Sequence, residues 1–589
     1  MQEERYETYV PDTLDLADRA SLAINALTGA LDPERSYEIY FVVRFSANPP
    51  YMYHDTTGLP TNNPKFAESL PLMRVMSGSD KNLDIENGMI NSMVSLIAED
   101  GLYYAKASKE RPWHEGVGHV YRTPDGQVAK QNEDFANVYG NSRMMLAMMA
   151  RYQKEQDTAW KSRISKMADR MIDIAQKQEE YAYYPDSGIG EAFSFPKSGW
   201  TNTDEPVAER MGAEGSMFMY HCGPIRAMSR WYNMSEDERA LEFAGKLVNF
   251  VLKPNFWGAP TAEPNRIVGA EHGHFTGHHH GHVAMFRGLL EYAIATNNTR
   301  IKEFVRDGYE YARNFGISRI GLFGEACSTA DMVAMAIKLA DAGVGDYWED
   351  VDQYVRNQLV EYQLLRKDFL KEVALASPQR AVSPPQETAD RVIERNLGGF
   401  AGDYNNPTKL TNTWIMQCCT GNATQALYYA WEGIVRCHSG IAQVNLLLNR
   451  VSPWLDVSSY LPYEGKVILK NKKAEKLCVR IPRWVDKKAV QCHKGGERLS
   501  PFWLGNYVVF EKLAEQDEVT IEFPVEAETV KYTQLGKEYT CYFKGNTLVD
   551  ISPRDEGIGY PIYLREHYKK DRAPMKRVTR YVSPVIIEW

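Results

Sequence analysis

The sequence has 589 residues, of which 44% are hydrophobic and 25% charged, which is an ordinary globular composition. Its net charge of −9 and its lack of a basic tract argue against binding to nucleic acid or to an anionic membrane surface. No run reaches the roughly 18 apolar residues that a membrane span requires, so we expect no membrane partner.

The opening residues and the cysteine content limit the cellular compartments in which we expect the protein. The start of the chain, "MQEERYETYV", is polar and unlike a signal peptide. We therefore expect a cytoplasmic protein, or a periplasmic one if an export signal was trimmed. Eight cysteines in this length do not form a disulfide scaffold. The length predicts two or more domains, and it leaves monomer and homodimer equally open.

Up to about residue 437, apolar residues recur at helical spacing. The segments lie near 14–30 and 85–98, and at 141–153, 160–178, 223–232, 240–252, 282–295, 301–315, 330–343, 347–365 and 423–435. They come in pairs joined by polar turns, and their connections vary in length. An open α-solenoid should show a fixed repeat, and none is present. The pattern therefore predicts an (α/α)6 helical barrel over residues 1–437.

After residue 438 the pattern changes to short β-branched runs separated by turn residues. These runs lie at 442–448, 465–470, 476–482, 506–513, 518–524, 539–543 and 547–552. Such spacing is typical of an all-β sandwich. We therefore predict a multidomain chain with a C-terminal β-sandwich region at 438–589.

The predicted barrel brings three unusual segments together. Alternate helices form the inner ring and run the same way, so their N-termini meet at one end. The helices starting near His282, Cys327 and Cys419 would be inner helices. The segments "GHHHGH" (277–282), "GEACST" (324–329) and "QCCTGN" (417–422) should then share one mouth.

Two of these segments carry possible metal ligands. Ser328 followed by Asp331 resembles a capping box, which would place Glu325 and Cys327 ahead of a helix. Cys418 and Cys419 likewise precede Thr420 and Asn422, either of which can cap. One carboxylate and three thiolates suit a tetrahedral zinc ion. The alternative is that these cysteines are buried and act as small hydrophobic residues.

The segment at 271–282 holds six of the thirteen histidines. Taken alone, it is interpreted as a metal site, as a flexible loop, or as a polar loop with one or two histidines that contact a substrate. His282 opens the helix that follows, and His280 lies two residues before it. Both are candidate substrate-binding residues.

Taken together, these motifs resemble family 127 of the glycoside hydrolases, the β-L-arabinofuranosidase family. Four features carry the resemblance: Glu325-Ala326-Cys327 at a helix start, the Cys418-Cys419 pair before a helix, Gly281-His282, and the pattern "VNLLL…LPYEGKVILK…LCVRIPRW" at 444–484. The resemblance covers roughly residues 80–530. It implies an (α/α)6 catalytic barrel followed by β-sandwich material.

The resemblance also implies residue roles. Glu325, Cys327, Cys418 and Cys419 would hold zinc, and Cys418 would be the nucleophile of a retaining hydrolysis. The family's acid/base glutamate lies in a glycine-rich loop that has no counterpart here.

The acid/base therefore stays unassigned, and its candidates by position are Glu271, Glu310 and Asp403. Asn141 lies at an inner helix start where the family carries histidine, which makes it a further candidate for substrate binding.

We therefore expect a zinc-thiolate glycosidase that acts on an L-arabinofuranoside or a related plant-glycan sugar, presented as a glycoside or an oligosaccharide. One alternative is a non-catalytic, zinc-ordered carbohydrate-binding protein. Another is a different (α/α)6 carbohydrate-active enzyme, such as a lyase or an isomerase. Those enzymes rely on His, Tyr and Arg rather than on thiols.

Overall fold

The computed structural model describes residues 4–114, 119–122, 128–131, 133–185, 194–200, 202–206, 216–253, 256, 278–402, 405–411 and 413–589. This part of the chain contains fourteen α-helices: α1 (Leu16–Gly29), α2 (Asn63–Ser77), α3 (Leu83–Ser95), α4 (Val138–Glu155), α5 (Ala159–Ile174), α6 (Ser216–Ser235), α7 (Glu238–Val251), α8 (His279–Ala295), α9 (Thr299–Ala312), α10 (Ala326–Asp341), α11 (Trp348–Tyr354), α12 (Lys367–Leu375), α13 (Val392–Asn396) and α14 (Gln417–Ile434). None of them is both long and apolar enough to span a bilayer.

Six of these helices form a closed inner ring. Each packs on the next in the order α2, α4, α6, α8, α10 and α14, and α14 packs back on α2. Helices α1, α3, α5, α7, α9 and α11 pack against the outside of this ring. The predicted (α/α)6 barrel is confirmed, and so is the expected alternation of inner and outer helices from His282 onward.

The two rings differ in how their side chains are buried. Helix α10, "ACSTADMVAMAIKLAD", is buried nearly all round. Outer helix α9 buries one stripe, which includes Ile301, Val305, Tyr309 and Ala312, and leaves its other face polar. A helix enclosed on all sides requires small and apolar residues throughout, whereas an outer helix requires only one apolar face.

The C-terminal region is rich in strands. One five-stranded sheet contains, in spatial order, Val435–His438, Ile441–Val444, Lys476–Arg480, Tyr507–Phe510 and Phe502–Leu504. A six-stranded sheet contains Arg450–Val451, Leu455–Ser459, Lys466–Asn471, Glu518–Glu522, Gln491–Lys494 and Glu497–Leu499. The strands Ala527–Gln534, Lys537–Lys544 and Thr547–Ser552 form a three-stranded meander. Alternating burial along several of these strands gives the two large sheets an apolar side, as the sandwich prediction requires.

Two segments connect the parts of the chain on either side of residue 438. The strand Glu4–Pro11 pairs antiparallel with Met575–Val582. Further along, Trp589 stacks on Tyr429 of α14 with ring centroids 3.8 Å apart. The proposed division at residues 437 and 438 falls inside the strand Val435–His438 and stays a prediction.

A small sheet directs the chain into α14. It consists of Glu387–Thr388, Tyr51–Tyr53, Val42–Arg44 and Trp414–Met416 in spatial order. The backbone N–H of Gln417 then donates to the carbonyl oxygen of Phe41 at 2.9 Å. This anchoring fixes where α14 begins, and therefore where its two adjacent cysteines lie.

Candidate metal centre

Three cysteine sulfurs converge where α10 and α14 begin. The Sγ atoms of Cys327, Cys418 and Cys419 all lie within 4.8 Å of one another. The Cys327 thiol donates to Cys419 Sγ at 3.5 Å. A tetrahedral zinc ion with Zn–S bonds of about 2.3 Å sets its sulfur ligands about 3.8 Å apart. The cluster therefore has the spacing that such an ion needs.

The helices begin earlier than predicted. Helix α10 starts at Ala326 with Glu325 as its N-cap, and α14 starts at Gln417. The predicted caps at Ser328, Thr420 and Asn422 are wrong, because these residues lie inside the helices. The thiols meet from within two first turns, since helical side chains point back toward the N-terminus.

Glu325 lies beside the cluster. Its Oε2 is 3.9 Å from Cys419 Sγ, and its Oε1 is 2.6 Å from His278 Nε2. The carboxylate therefore stands between a histidine and the thiols. The carboxylate is not one of the ligand atoms that lie within 4.8 Å of one another, so Glu325 as the fourth ligand stays a prediction.

The three thiols differ in exposure and in acidity. Cys327 and Cys419 are buried, whereas Cys418 is half-buried. Hydrogen bonds from the Cys327 and Cys419 thiols, helped by the positive charge of Lys65, hold the pKa of Cys418 well below its usual range. Burial raises the pKa of Cys327 well above its usual range. Cys418 is thus the sulfur of this group that ionises most readily and that solvent can reach.

Lys65 approaches the same cluster from the first turn of α2. The residue is 2% exposed. A Cβ added at Gly421 of α14 would lie 3.0 Å from Lys65 Cβ, so the lysine stem packs on that helix. Burial lowers the pKa of the Lys65 ammonium, but charge interactions with Tyr139, Cys327 and Cys418 outweigh this, and its pKa is raised.

A buried polar network extends from the cluster into the barrel. His280 Nδ1 is 2.9 Å from Asp331 Oδ2, and Arg287 donates to Asp331 Oδ1 at 2.9 Å. His280 Nε2 also lies 3.4 Å from the amide nitrogen of Asn422. The Arg287 guanidinium stands 4.8 Å from the ring centre of Tyr429. Three inner helices, α8, α10 and α14, are joined by these contacts inside the barrel.

The other predicted substrate-binding residues have defined surroundings. His282 is 1% exposed, and its ring centre lies 4.4 Å from that of Phe218. Asn141 donates to the carbonyl oxygens of Tyr103 and Asn137, both at 3.0 Å, so backbone groups use both of its amide hydrogens. The structure therefore gives Asn141 a bracing role at the start of α4, whereas it places His280 near Asn422, one turn from Cys418.

The acid/base candidates are not brought to the cysteines in the described part of the chain. Glu310 lies on outer helix α9 and is about half-exposed. It accepts hydrogen bonds from Arg313 and Tyr347, both at 2.7 Å. Glu310 therefore lies on the outer ring, whereas the cysteines lie at the starts of two inner helices. Glu271 and Asp403 lie outside the described residues.

Sequence reasoning missed three residues of this site. Lys65 went unnoticed because the helix that carries it was not predicted. Asp331 was taken for a cap, although its oxygens bind His280 and Arg287. Arg287 itself carried a signal, since a charged residue inside the apolar run "HVAMFRGLLEYA" requires a buried partner.

The architecture places the protein among (α/α)6-barrel proteins that continue into a strand-rich region. It shares this fold with a family 127 β-L-arabinofuranosidase from Geobacillus stearothermophilus T6, at TM-score 0.53 and 13% identity over 82% of this chain and 75% of that one. A second family 127 β-arabinofuranosidase gives a TM-score of 0.55 at 14% identity over 92% and 85% of the two chains. A third structure, a glycoside hydrolase, gives 0.53 at 12% identity over 88% and 84%. No family model and no curated protein matches the sequence.

Proposed function

We propose that this protein is a retaining glycoside hydrolase with Cys418 as its nucleophile, acting on an L-arabinofuranoside or a related plant-glycan sugar. The observation that carries the proposal is the cluster of Cys327, Cys418 and Cys419 at the mouth of an (α/α)6 barrel. The shared fold with the two arabinofuranosidases supports the choice of sugar.

Zinc is the metal that the donor set fits best. Glu325, Cys327, Cys418 and Cys419 would hold it, and three thiolates with one carboxylate favour zinc over magnesium or calcium. When bound, zinc keeps the thiols ionised at neutral pH.

In the proposed reaction, the Cys418 thiolate attacks the anomeric carbon while the bond from that carbon to the leaving oxygen breaks, and the acid/base residue gives its proton to that oxygen. The sugar is then held on Cys418 as a thioglycoside, and water displaces the thiolate in a second step while the same acid/base residue takes a proton from the water. Two inversions give overall retention. A thiolate suits this role because it is a strong nucleophile. His280 and His282 would bind the sugar, and Glu271 and Asp403 remain the acid/base candidates.

A non-catalytic carbohydrate-binding protein is the second candidate. One observation favours it: the only acid/base candidate within the described residues, Glu310, lies on the outer ring. A binding protein would hold sugar and zinc without turnover.

The test is metal analysis together with hydrolysis of a panel of aryl arabinofuranosides. We expect about one zinc per chain and turnover of at least one substrate. Cys418→Ser should lower kcat by roughly a thousandfold or more, because a hydroxyl at its ordinary pKa is a weak nucleophile. Cys437→Ser, which changes another half-buried cysteine, is the matched control. Full activity of Cys418→Ser would contradict the mechanism, and zinc with sugar binding but no turnover would favour the binding protein.

A further inference from the structure

A cavity of about 310 Å³ lies between the helical barrel and the strand-rich region. The barrel contributes α1, α12 and residues 356–366, and the later part of the chain contributes residues 461–462 and 560–568. Sites for small ligands often form where two parts of a protein meet, and this volume is near the lower end of their usual range. The cavity is therefore large enough for one small organic molecule.

Guanidinium groups dominate the charged lining of this cavity. Among the described residues, the charged side chains that line it are four arginines and one glutamate: Arg19, Arg356, Arg366, Arg565 and Glu361. Arg356 and Arg366 pair with aspartates that do not line the cavity. Glu361 accepts from Arg565 Nε at 2.6 Å and from the backbone N–H of Tyr563 at 2.8 Å. Both oxygens of this carboxylate thus already accept hydrogen bonds.

Arg19 differs from the other three arginines because it has no carboxylate partner. In the described part of the chain, no carboxylate oxygen lies within 4.0 Å of its guanidinium, and its one side-chain hydrogen bond is a long one, to Gln363 Oε1 at 3.5 Å. Burial lowers the pKa of Arg19, although the charge of Glu361 opposes this effect. An anion beside the Arg19 guanidinium would offset the cost of its burial and could accept two parallel hydrogen bonds from it.

Tyr560 adds a second donor to the lining. It is 5% exposed, and its hydroxyl oxygen accepts from the backbone N–H groups of Leu365 and Arg366, both at 3.0 Å. Its hydroxyl hydrogen has no acceptor within the described residues. A hydroxyl that accepts two hydrogen bonds still donates one. Tyr560 can therefore donate to a ligand in the cavity.

Apolar groups complete the lining. The rings of Phe369 and Tyr560 lie edge to face with their centres 5.7 Å apart. Leu365 and Leu564 also line the cavity, and both are exposed to solvent for a third or more of their surface. Such side chains favour the apolar body of a ligand, whereas Arg19 and the Tyr560 hydroxyl favour a negatively charged group.

We propose that this cavity binds a small organic oxyanion, meaning a carboxylate or a phosphate ester carried on an apolar ring. Arg19 and Tyr560 would hold the oxyanion, and Phe369 and Leu564 would contact the ring. None of these residues belongs to the cysteine cluster. The proposal is thus independent of the proposed function, and no covalent step takes place at this site.

The experiment measures binding by titration calorimetry with four probes. Benzoate and phenyl phosphate carry the two kinds of oxyanion on the same ring, benzamide has nearly the shape of benzoate without its charge, and acetate lacks the ring. The proteins are wild type, Arg19→Gln, Leu564→Trp and the control Arg163→Gln. Leu564→Trp places a larger side chain in the cavity and leaves Arg19 in place.

Arg163 on α5 is a matched control for Arg19. It is half-buried, with its guanidinium 5.2 Å from the ring centre of Trp160. Like Arg19, it has no carboxylate oxygen within 4.0 Å among the residues that the structure describes. It does not line the cavity. The comparison therefore separates an arginine in this site from an arginine that merely lacks a carboxylate partner.

For wild type we expect benzoate or phenyl phosphate to bind with a Kd of about 1 mM, as a ligand of this size allows. The tighter of the two identifies the preferred oxyanion. Benzamide and acetate should bind at least about tenfold more weakly, because each lacks one half of the ligand. Arg19→Gln should weaken anion binding by about tenfold or more through the loss of a charged hydrogen bond. Leu564→Trp should weaken it by filling the cavity, and Arg163→Gln should bind as wild type does.

Melting temperatures without ligand show whether each variant is folded. Arg19→Gln should melt at or above the wild-type temperature, because it removes a buried cation that has no carboxylate partner. If that variant fails to fold, Leu564→Trp still tests the site. Failure of wild type to bind either anion would overturn the proposal, and so would equal affinities for benzoate and benzamide. Unchanged anion binding in a folded Arg19→Gln or in Leu564→Trp would also overturn it. Each of these outcomes leaves the proposed function intact, since zinc analysis and glycoside hydrolysis test that separately.

Discussion

At the scale of single residues, Asp331 connects a histidine near the cysteine cluster to an arginine in the core of the barrel. Its two oxygens bind His280 and Arg287, which lie seven residues apart on one face of α8. Burial opposes its ionisation, but the hydrogen bonds from His280 and Arg287 outweigh burial and hold the pKa of Asp331 well below its usual range. The close contact of Nδ1 with Asp331 Oδ2, at 2.9 Å, places the imidazole so that Nε2 lies 3.4 Å from the amide nitrogen of Asn422 in α14.

Replacing Asp331 with Asn should therefore destabilise the protein by about 3 to 5 kcal/mol, because Arg287 loses its buried partner. A carboxyl with a depressed pKa stabilises the fold above its unfolded pKa of 3.8, and this stability is lost only as pH falls below that value. The difference in unfolding free energy between wild type and Asp331→Asn should thus stay constant across the range from about pH 5 to 8.

Urea denaturation at several pH values checks this expectation. Asp341→Asn, which changes a partly exposed partner of Arg436 on the same helix, is the control and should cost less than about 1 kcal/mol. If the difference in unfolding free energy between wild type and Asp331→Asn shrinks between about pH 5 and 8, another titrating group controls the interaction of Asp331 with Arg287. His280 is the nearest such group.

At the scale of elements, the backbone at the start of α4 packs directly against the backbone of the segment before α2. A Cβ at Gly140 would lie 1.8 Å from the carbonyl oxygen of Pro60. Pro60 belongs to the Gly58–Asn62 turn, which leads directly into α2 and so into Lys65. Asn137 caps α4 by accepting from the Gly140 N–H at 2.9 Å. Only glycine fits at this contact, because a backbone carbonyl cannot move aside as a side chain can.

Gly140→Ala should therefore cost about 2 kcal/mol or more through overpacking, and should weaken metal binding by displacing α2. The control is Gly245→Ala on outer helix α7, where the added methyl meets only the hydroxyl end of Tyr292. Because alanine favours helix, that variant should be neutral or slightly stabilising. Thermal melts and zinc competition measure both effects, and equal melting temperatures for the two variants would contradict the packing argument.

Some elements could be predicted from the sequence and others could not. Helices such as α9 and α10 were predictable, because their apolar spacing is regular. Helix α2 was not, because Pro71 lies inside it and proline normally ends a helix, whereas here burial on all sides overrides that preference. The convergence of the three cysteines could be predicted from residue types and from the barrel geometry. Lys65 and the pairing of Asp331 depend on contacts between helices far apart in sequence, which no local pattern reveals.

At the scale of the whole molecule, the residues after 582 close the barrel at the end opposite the cysteines. Tyr429 is eleven residues beyond Cys418 on α14, which corresponds to about 16 Å along the helix. Trp589 stacks on its ring, and the Tyr428 hydroxyl donates to the carbonyl oxygen of Ile587 at 2.9 Å. The two ends of α14 thus serve different purposes, since one carries thiols and the other packs against this segment.

Trp589→Ala should lower the unfolding free energy by roughly 3 kcal/mol through the loss of a buried ring, and should leave zinc affinity unchanged. Phe502→Ala, which removes a ring that is 63% exposed, should have little effect on either quantity. Denaturation and chelator competition on the two variants check this. A loss of zinc affinity in Trp589→Ala would show that the two ends of α14 are coupled.

The most direct test of the central claim is to trap the sugar on the protein. A cyclitol epoxide configured as an L-arabinofuranose is incubated with the zinc-loaded protein, and labelled peptides are mapped by mass spectrometry. We predict one label per chain, carried by Cys418, and no label in Cys418→Ser. A label on another residue, or labelling that persists in Cys418→Ser, would contradict the assignment of Cys418 as the nucleophile.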